Sequence, residues 1–311
     1  MSIENYADSF AGKRVVHYNE DTGATEPPGS CVYRIGSSEH DSGGDFDALL
    51  ERFLSDPNVH PVVGLVVGTW SDEMYDSSSP FVVSRLSDAK MRLPHLRALF
   101  FGDILREEHE ISWINQSDMT PLLNAYPELQ HFRVRGANGL RFTDLSHDNL
   151  LSLIVESGGL PEDPLRDIFA AKLPKLEHLE LWLGDNSYGA VPPSFLKPLL
   201  TYNPFPKLRT LGLRNYEFID MLCESLIQAP ILDEIRVLDL SNGNLSDAGL
   251  DELLAASEKL KKLERLDLHH HYLSDEGMRQ AQSLGIPVDL SGRQVAEIDD
   301  GNEYRGILAS E

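Results

Sequence analysis

Positive charge is scarce in this sequence: 27 Lys and Arg stand against 50 Asp and Glu, a net charge of −23. Such a surface repels phosphate backbones and anionic lipid, so neither nucleic acid nor membrane is expected as a partner. Cysteine is nearly absent. Cys31 and Cys223 stand far apart, which excludes a disulfide framework and every metal-type cysteine spacing. Long apolar runs are missing too. None approaches the roughly 20 residues of a membrane helix, and MSIENYADSFAGKRVV holds no secretory core, so a cytoplasmic location is expected. There is no glycine-rich phosphate loop, nucleophile elbow or dinucleotide fingerprint. HEISW, at 109–113, lacks the second histidine of a zinc protease motif. No cofactor and no metal are expected, and the chain does not read as an enzyme.

What is present is a repeat. The template L-x-x-L-x-L-x-x-N-x-L encodes one short strand per copy. IRVLDLSNGNL fills its leading apolar positions with Ile235, Leu238 and Leu240, and LERLDLHHHYL with Leu263, Leu266 and Leu268. Less regular copies lie in VVGLVV, LRALFF, LQHFRV, LLSLIV, LEHLEL and LRTLGL. The middle apolar residues of the eight copies are Leu65, Leu99, Phe132, Leu153, Leu179, Leu211, Leu238 and Leu266, at separations of 34, 33, 21, 26, 32, 27 and 28. One such strand cannot bury its apolar side alone, but stacked copies share a continuous core. The stretches FDALLERFLSD, SDMTPLLNAY, PLRDIFAAKL, FIDMLCESLIQAP and DAGLDELLAAS carry helical apolar faces between them. Pro94, Pro127, Pro174 and Pro206 each fall shortly before a strand, where proline ends a helix and turns the chain.

The fold expected is therefore α/β: a leucine-rich-repeat solenoid, with a curved parallel sheet, convex-side helices and about eight repeats plus caps. Residues 1–60 form an N-terminal segment and cap, with CVYRIG and the helix near 45–55 as its elements. Residues 61–292 form the repeat domain, closed by a last strand in IPVDLSG, and 293–311 a flexible acidic tail.

The runs GDILREEHEISWINQSDMTPLL, VRGANGL, LLSLIVESGG, LEHLELWLG and LDLHHHYLSDEGM, with their EISWI-Q-D and LDLHHH motifs, resemble an uncharacterised family of bacterial leucine-rich-repeat proteins across residues 45–292. The resemblance implies a cytoplasmic protein without assigned activity. Genes of that family often lie beside radical-SAM and ATP-grasp-like proteins, which implies an accessory component or substrate carrier of a peptide-modification or biosynthetic cluster.

Residues between and after the apolar positions face the inner surface and form columns, since neighbouring strands lie about 4.8 Å apart. The first two repeats are small or apolar there (Gly64, Val66, Gly68, Ala98, Phe100, Gly102), so that side is expected to be covered by the N-terminal segment or by a partner. The middle repeats gather His131, Arg133, Arg135, Glu156, His178, Glu180, Trp182 and Arg214. Arginine and tryptophan dominate interface energetics, so a protein or peptide partner is one reading. A small-anion site at the guanidinium forks is another. A cross-strand ladder needing no ligand is the third, with Arg135 beside Glu156, Arg133 within reach of Glu180, and Arg214 stacked on Trp182. The acidic surface would suit neutralisation of a basic protein.

His269, His270 and His271 invite a metal, but the chain turns between them. His271 fills the slot usually held by the repeat's asparagine and is expected to bond loop backbone. The long loop over 102–118 presents Glu107, Glu108 and Glu110 as a solvated edge, with Ile111, Trp113 and Ile114 as core, or serves a function of its own.

Overall fold

The computed structural model describes residues 4–36, 45–71, 78–299 and 301–310. The chain divides into two units. The first runs through Glu156 and adds Ala170–Lys175; the second comprises Ser157–Phe169 and Leu176–Ser310.

The first unit holds strands β1 (Ser9–Phe10), β2 (Lys13–His17), β3 (Cys31–Ile35), β4 (Gly64–Val67), β5 (Ala98–Phe101), β6 (His131–Arg135) and β7 (Ser152–Glu156). β1 folds back antiparallel on β2, and β2 through β7 pair in parallel, each with the next. The register sets Tyr33, Leu65, Leu99, Phe132 and Leu153 side by side, so the middle apolar residues of the repeat line up within this unit. All five are buried. Helices α1 (Phe46–Ser55), α2 (Pro80–Asp88) and α3 (Thr120–Ala125) lie between the strands. Asp45 caps α1 by accepting from the Asp47 N–H at 3.0 Å. CVYRI, expected as a cap, is an internal strand: Tyr33 continues the aliphatic column, and β1–β2 close that side instead.

The second unit begins with α4 (Glu162–Ala170, its last residue falling in the first unit) and holds β8 (His178–Gly184), β9 (Thr210–Tyr216), β10 (Val237–Asp239), β11 (Arg265–Asp267) and β12 (Val288–Asp289). These five are parallel, with Leu179, Leu211, Leu238, Leu266 and Val288 in one register. Between and after them come α5 (Lys197–Tyr202), α6 (Ile219–Ile227), α7 (Asp247–Ala255), α8 (Ser257–Leu260) and α9 (Asp275–Gln282). Pro94, Pro127, Pro174 and Pro206 each sit in a turn four residues before a strand.

The SDAG and SDEG motifs have a steric cause. Ser246 and Ser274 are N-caps, accepting from the backbone N–H groups of Ala248 and Gly277. The carboxylates of Asp220 and Asp247, one repeat earlier, each accept the backbone N–H of the following cap serine at 2.9 Å. A side chain at Gly249 or Gly277 would stand 2.2 or 2.3 Å from those carboxylates, so neither position admits a Cβ.

Within 293–311, expected as a flexible tail, the described residues 293–299 and 301–310 carry structure. β13 (Glu297–Asp299) and β14 (Asn302–Tyr304) form an antiparallel hairpin, and Ala309 is buried beyond it. The apolar periodicity does end here; backbone hydrogen bonds hold the segment instead. No helix among the described residues is long and apolar enough to cross a membrane.

Candidate functional site

The inner side of the first repeats is covered, and by the N-terminal segment. Phe10 is buried among Val32, Val66, Ala98 and Phe100, with Ala7, Ala11 and Val15 packed against the group. The small and apolar residues of the first repeats are thus the floor of a core.

Beside that floor the structure assembles a buried ionic ladder. Arg34 Nε donates to Asp103 Oδ2 at 3.1 Å, and its Nη2 to the Asp103 carbonyl at 3.0 Å. Arg135 Nε donates to Glu156 Oε2 at 2.8 Å, and its Nη1 to the Ile104 carbonyl at 2.6 Å. Arg133 pairs with the other oxygen of Glu156. The Phe100 ring lies 4.1 Å from the Arg133 guanidinium carbon, and the Tyr6 ring 3.6 Å from that of Arg34. Tyr6 Oη donates to Glu108 Oε1 at 2.5 Å, tying the N-terminal segment to the 102–118 loop. Burial and this acceptor both push the Tyr6 hydroxyl pKa up. Glu108 also accepts from the Leu105 N–H and the Thr69 hydroxyl, so it is no mere solvated edge. In the same loop Ile111 and Ile114 are buried, but Trp113 is 47% exposed, and Gln116 Nε2 donates to the Arg135 carbonyl at 2.7 Å.

A second ladder lies in the second unit. Arg214 Nη1 donates to Glu180 Oε1 at 2.7 Å, and its Nε stands 3.3 Å from Asp239 Oδ2. Trp182 Nε1 donates to the same Glu180 oxygen at 2.8 Å, and the Arg214 guanidinium lies 5.2 Å from the Trp182 ring. His178 Nε2 stands 3.5 Å from Glu180 Oε2. Burial alone would raise the Glu180 pKa, but His178, Arg214 and Trp182 together hold it well below the carboxylate range. Burial pushes the Asp239 carboxyl up despite Arg214.

The eight singled-out residues therefore fall into two clusters. Arg133, Arg135 and Glu156 meet in the first unit, and Glu180, Trp182 and Arg214 in the second; all six are buried. Arg135 with Glu156 and Arg214 over Trp182 meet the ladder expectation. Arg133 pairs with Glu156, its neighbour in the same unit. His131 and His178 are half-buried. They begin their strands, and His178 stands in register with Thr210, Val237 and Arg265, all at least partly exposed. Arg34, Asp103 and Tyr6 were missed. A lone arginine in CVYRI and an aspartate directly after the FFG strand end were their only signals.

The three consecutive histidines engage different groups. His269 Nδ1 lies 2.7 Å from Asp267 Oδ1, and His270 Nδ1 3.3 Å from the Gly243 carbonyl. His271 is buried; its Nε2 is 3.0 Å from the Leu290 carbonyl and its Nδ1 accepts the Leu273 N–H at 3.1 Å. That is the loop-ladder role expected of it. Burial lowers the pKa of both His270 and His271, and for His271 that suits a neutral ring whose Nδ1 accepts the Leu273 N–H. His147 bonds alike, accepting from the Asn149 N–H at 3.3 Å, with Nε2 3.1 Å from the Tyr126 carbonyl.

Among the described residues, Asp267, His269 and Asp289 are the group placed to hold a cation, with ligand atoms all within 4.8 Å of one another. Arg265 Nη2 already serves both carboxylates, at 2.7 and 3.2 Å. Burial would raise Asp267, but bonds from the His269 ring and backbone hold it down; Ser291 does the same for Asp289. Asp239, Asp267 and Asp289 occupy one register, and each carboxylate accepts the N–H two residues on, from Ser241, His269 and Ser291. The repeated D-L-S/H thus closes the strand ends.

No family model and no curated protein matches the chain. Among solved structures, a Bacteroides fragilis protein matches with a TM-score of 0.78 and 32% identity, over 84% of this chain and 74% of its own. An internalin from Listeria monocytogenes matches over 75% of this chain and 73% of its own, but at 14% identity and a TM-score of 0.31 it carries no argument. On the first of these likenesses, the chain belongs to the family of the Bacteroides fragilis protein.

Proposed function

We propose that this chain is a non-catalytic leucine-rich-repeat scaffold, cytoplasmic, that binds a protein or peptide on the inner face of its sheet. The carrying observation is the row at the strand starts of the second unit. His178, Thr210, Val237 and Arg265 stand in register and partly exposed, at the spacing of parallel strands. Such a row offers a partner one mixed strip, imidazole, hydroxyl, aliphatic and guanidinium, on a rigid base. The buried ladder behind it fixes that base: Glu180 aligns His178 through one oxygen and Arg214 with Trp182 through the other. In the first unit His131 holds the equivalent position over Arg133, Arg135 and Glu156. Of the eight residues, His131 and His178 would touch a partner and the other six would support them.

The test is co-purification at native level, followed by substitution. Val237→Glu with Arg265→Glu should cost at least about tenfold in affinity for whatever protein is retained, since both change the strip without touching the core. Met221→Glu, at an exposed position of α6, should change nothing. Loss on the helix variant with retention on the strip variant would move the interface off the sheet.

A further inference from the structure

The segment after the β13–β14 hairpin crosses the ends of three successive strands of the second unit. Beyond β11, Tyr272 Oη donates to the Gly306 carbonyl at 2.9 Å. Beyond β10, the Leu308 N–H donates to the Asn242 carbonyl at 2.9 Å. At the end of β9, the Asn215 amide takes Ala309 from both sides. Its Oδ1 accepts the Ala309 N–H at 2.9 Å, and its Nδ2 donates to the Ala309 carbonyl at 2.6 Å. Asn215 is fully buried and Ala309 nearly so, at 2% exposure.

Equivalent backbone turns form this groove. Asn215, Asn242 and His270, each two residues past the third apolar position of its repeat (Leu213, Leu240 and Leu268), have φ of 51°, 66° and 58°. Asparagine tolerates that left-handed conformation better than most residues. At each of the crossing points the groove meets backbone of the segment. A side-chain amide offers one acceptor and one donor, so it pairs with the N–H and C=O of a single extended residue whatever its side chain. The one demand on side-chain size is at Ala309, which is enclosed, whereas Leu308 is 37% exposed.

We propose that the groove along the ends of β9, β10 and β11 is a binding site for an extended peptide segment of a partner protein, with a small residue seated at Asn215. The chain's own Arg305–Ala309 fills it in cis as a strap that the incoming segment displaces. A tethered occupant acts at a high effective concentration, so the strap sets a threshold the partner must exceed. Besides the bonds at Gly306, Leu308 and Ala309, the Asn244 amide donates to the Arg305 carbonyl and the Arg305 guanidinium lies 3.4 Å from Asp220 Oδ2. Ala309 is the one buried apolar side chain of Arg305–Ala309, so releasing the strap exposes little apolar surface. The site uses none of the residues of the strand-start row, so the two can fail separately.

The test uses the full chain and a fluorescent peptide of its last eleven residues, GNEYRGILASE. Ala309→Trp cannot seat at Asn215, so the strap leaves and the groove opens. The peptide should then bind in trans at least about tenfold more tightly than to the unsubstituted chain, where the tethered strap competes. Adding Asn215→Ala should abolish that gain, and a peptide with tryptophan in place of its alanine should not bind. If Ala309→Trp does not fold, Ala309→Glu serves in its place. A folded strap variant that binds the peptide no better than the unsubstituted chain, or binding that survives Asn215→Ala, would overturn the proposal. Losing strip-dependent partner binding while keeping peptide binding would sink the strand-start reading alone.

Discussion

Glu156→Ala is expected to lower stability by about 3–5 kcal/mol, because it leaves the buried Arg133 and Arg135 without the carboxylate they share. Taking guanidinium groups out of water is costly, and the two oxygens of Glu156 offset that cost for one arginine each. Asp103 cannot substitute: it is 3.9 Å from Arg135 and already takes Arg34 at 3.1 Å. Urea titration should read the loss as a lower midpoint. A melting scan should show a fall of about 5–8 °C, at about 1.5 °C per kcal/mol for a chain of 311 residues. The triple replacement Arg133→Met, Arg135→Leu and Glu156→Leu should cost less than the single one, since an apolar trio carries no desolvation penalty. A single variant within about 1 kcal/mol of the parent would mean that water or another group already compensates these charges.

Phe10→Ala should free the N-terminal segment before it unfolds the sheet. Removing a buried phenylalanine costs about 3–5 kcal/mol. Phe10 is the ring through which Ser9–His17 docks on Val32, Val66, Ala98 and Phe100. The loss should therefore fall on a local opening, read by native-state hydrogen exchange across the amides of 9–17. Their exchange should quicken on the order of 10² to 10³-fold, while amides of β5 and β6 change far less. Tyr6 would leave Arg34 in the same event, exposing the first ladder to water. Uniform acceleration throughout the first unit would show that the segment is integral to the sheet.

The strands were legible because their signal is chemical and local. Leu65, Leu99, Phe132 and Leu153, and then Leu179, Leu211, Leu238 and Leu266, are in register within their units, because burying each aliphatic requires the next strand beside it. His271 was legible for the same reason: its slot in the repeat has a fixed backbone environment. The ladder was half-legible. Arg135 and Glu156 stand directly opposite on neighbouring strands, so pattern alone pairs them. Asp103 pairs with Arg34 across 69 residues and two intervening strands, β4 and β5, which no period encodes. The hold on Ala309 was illegible because the Asn215 amide grips only the backbone of Ala309, across 94 residues, and a gripped backbone leaves no trace in residue type. Charge was the weakest guide. Arg133, Arg135 and Arg214 stood out in an acidic chain as interface residues, and the structure turns all three inward onto carboxylates.

Everything proposed for the inner face depends on parallel strands bringing the row at their starts together. Engineered cysteine pairs measure that arrangement directly. Thr210 and Val237 are register partners on β9 and β10, so their Cα atoms should lie about 4.8 Å apart, within disulfide range. Thr210 and Arg265 are two strands apart, about 10 Å, beyond it. Cys31 and Cys223 are buried and should not compete. Mild oxidation of Thr210→Cys with Val237→Cys should consume both new thiols within one chain, and Thr210→Cys with Arg265→Cys should leave them titratable. Closure of the distant pair with the neighbouring pair left open would contradict the stacked register, and with it the proposed strip.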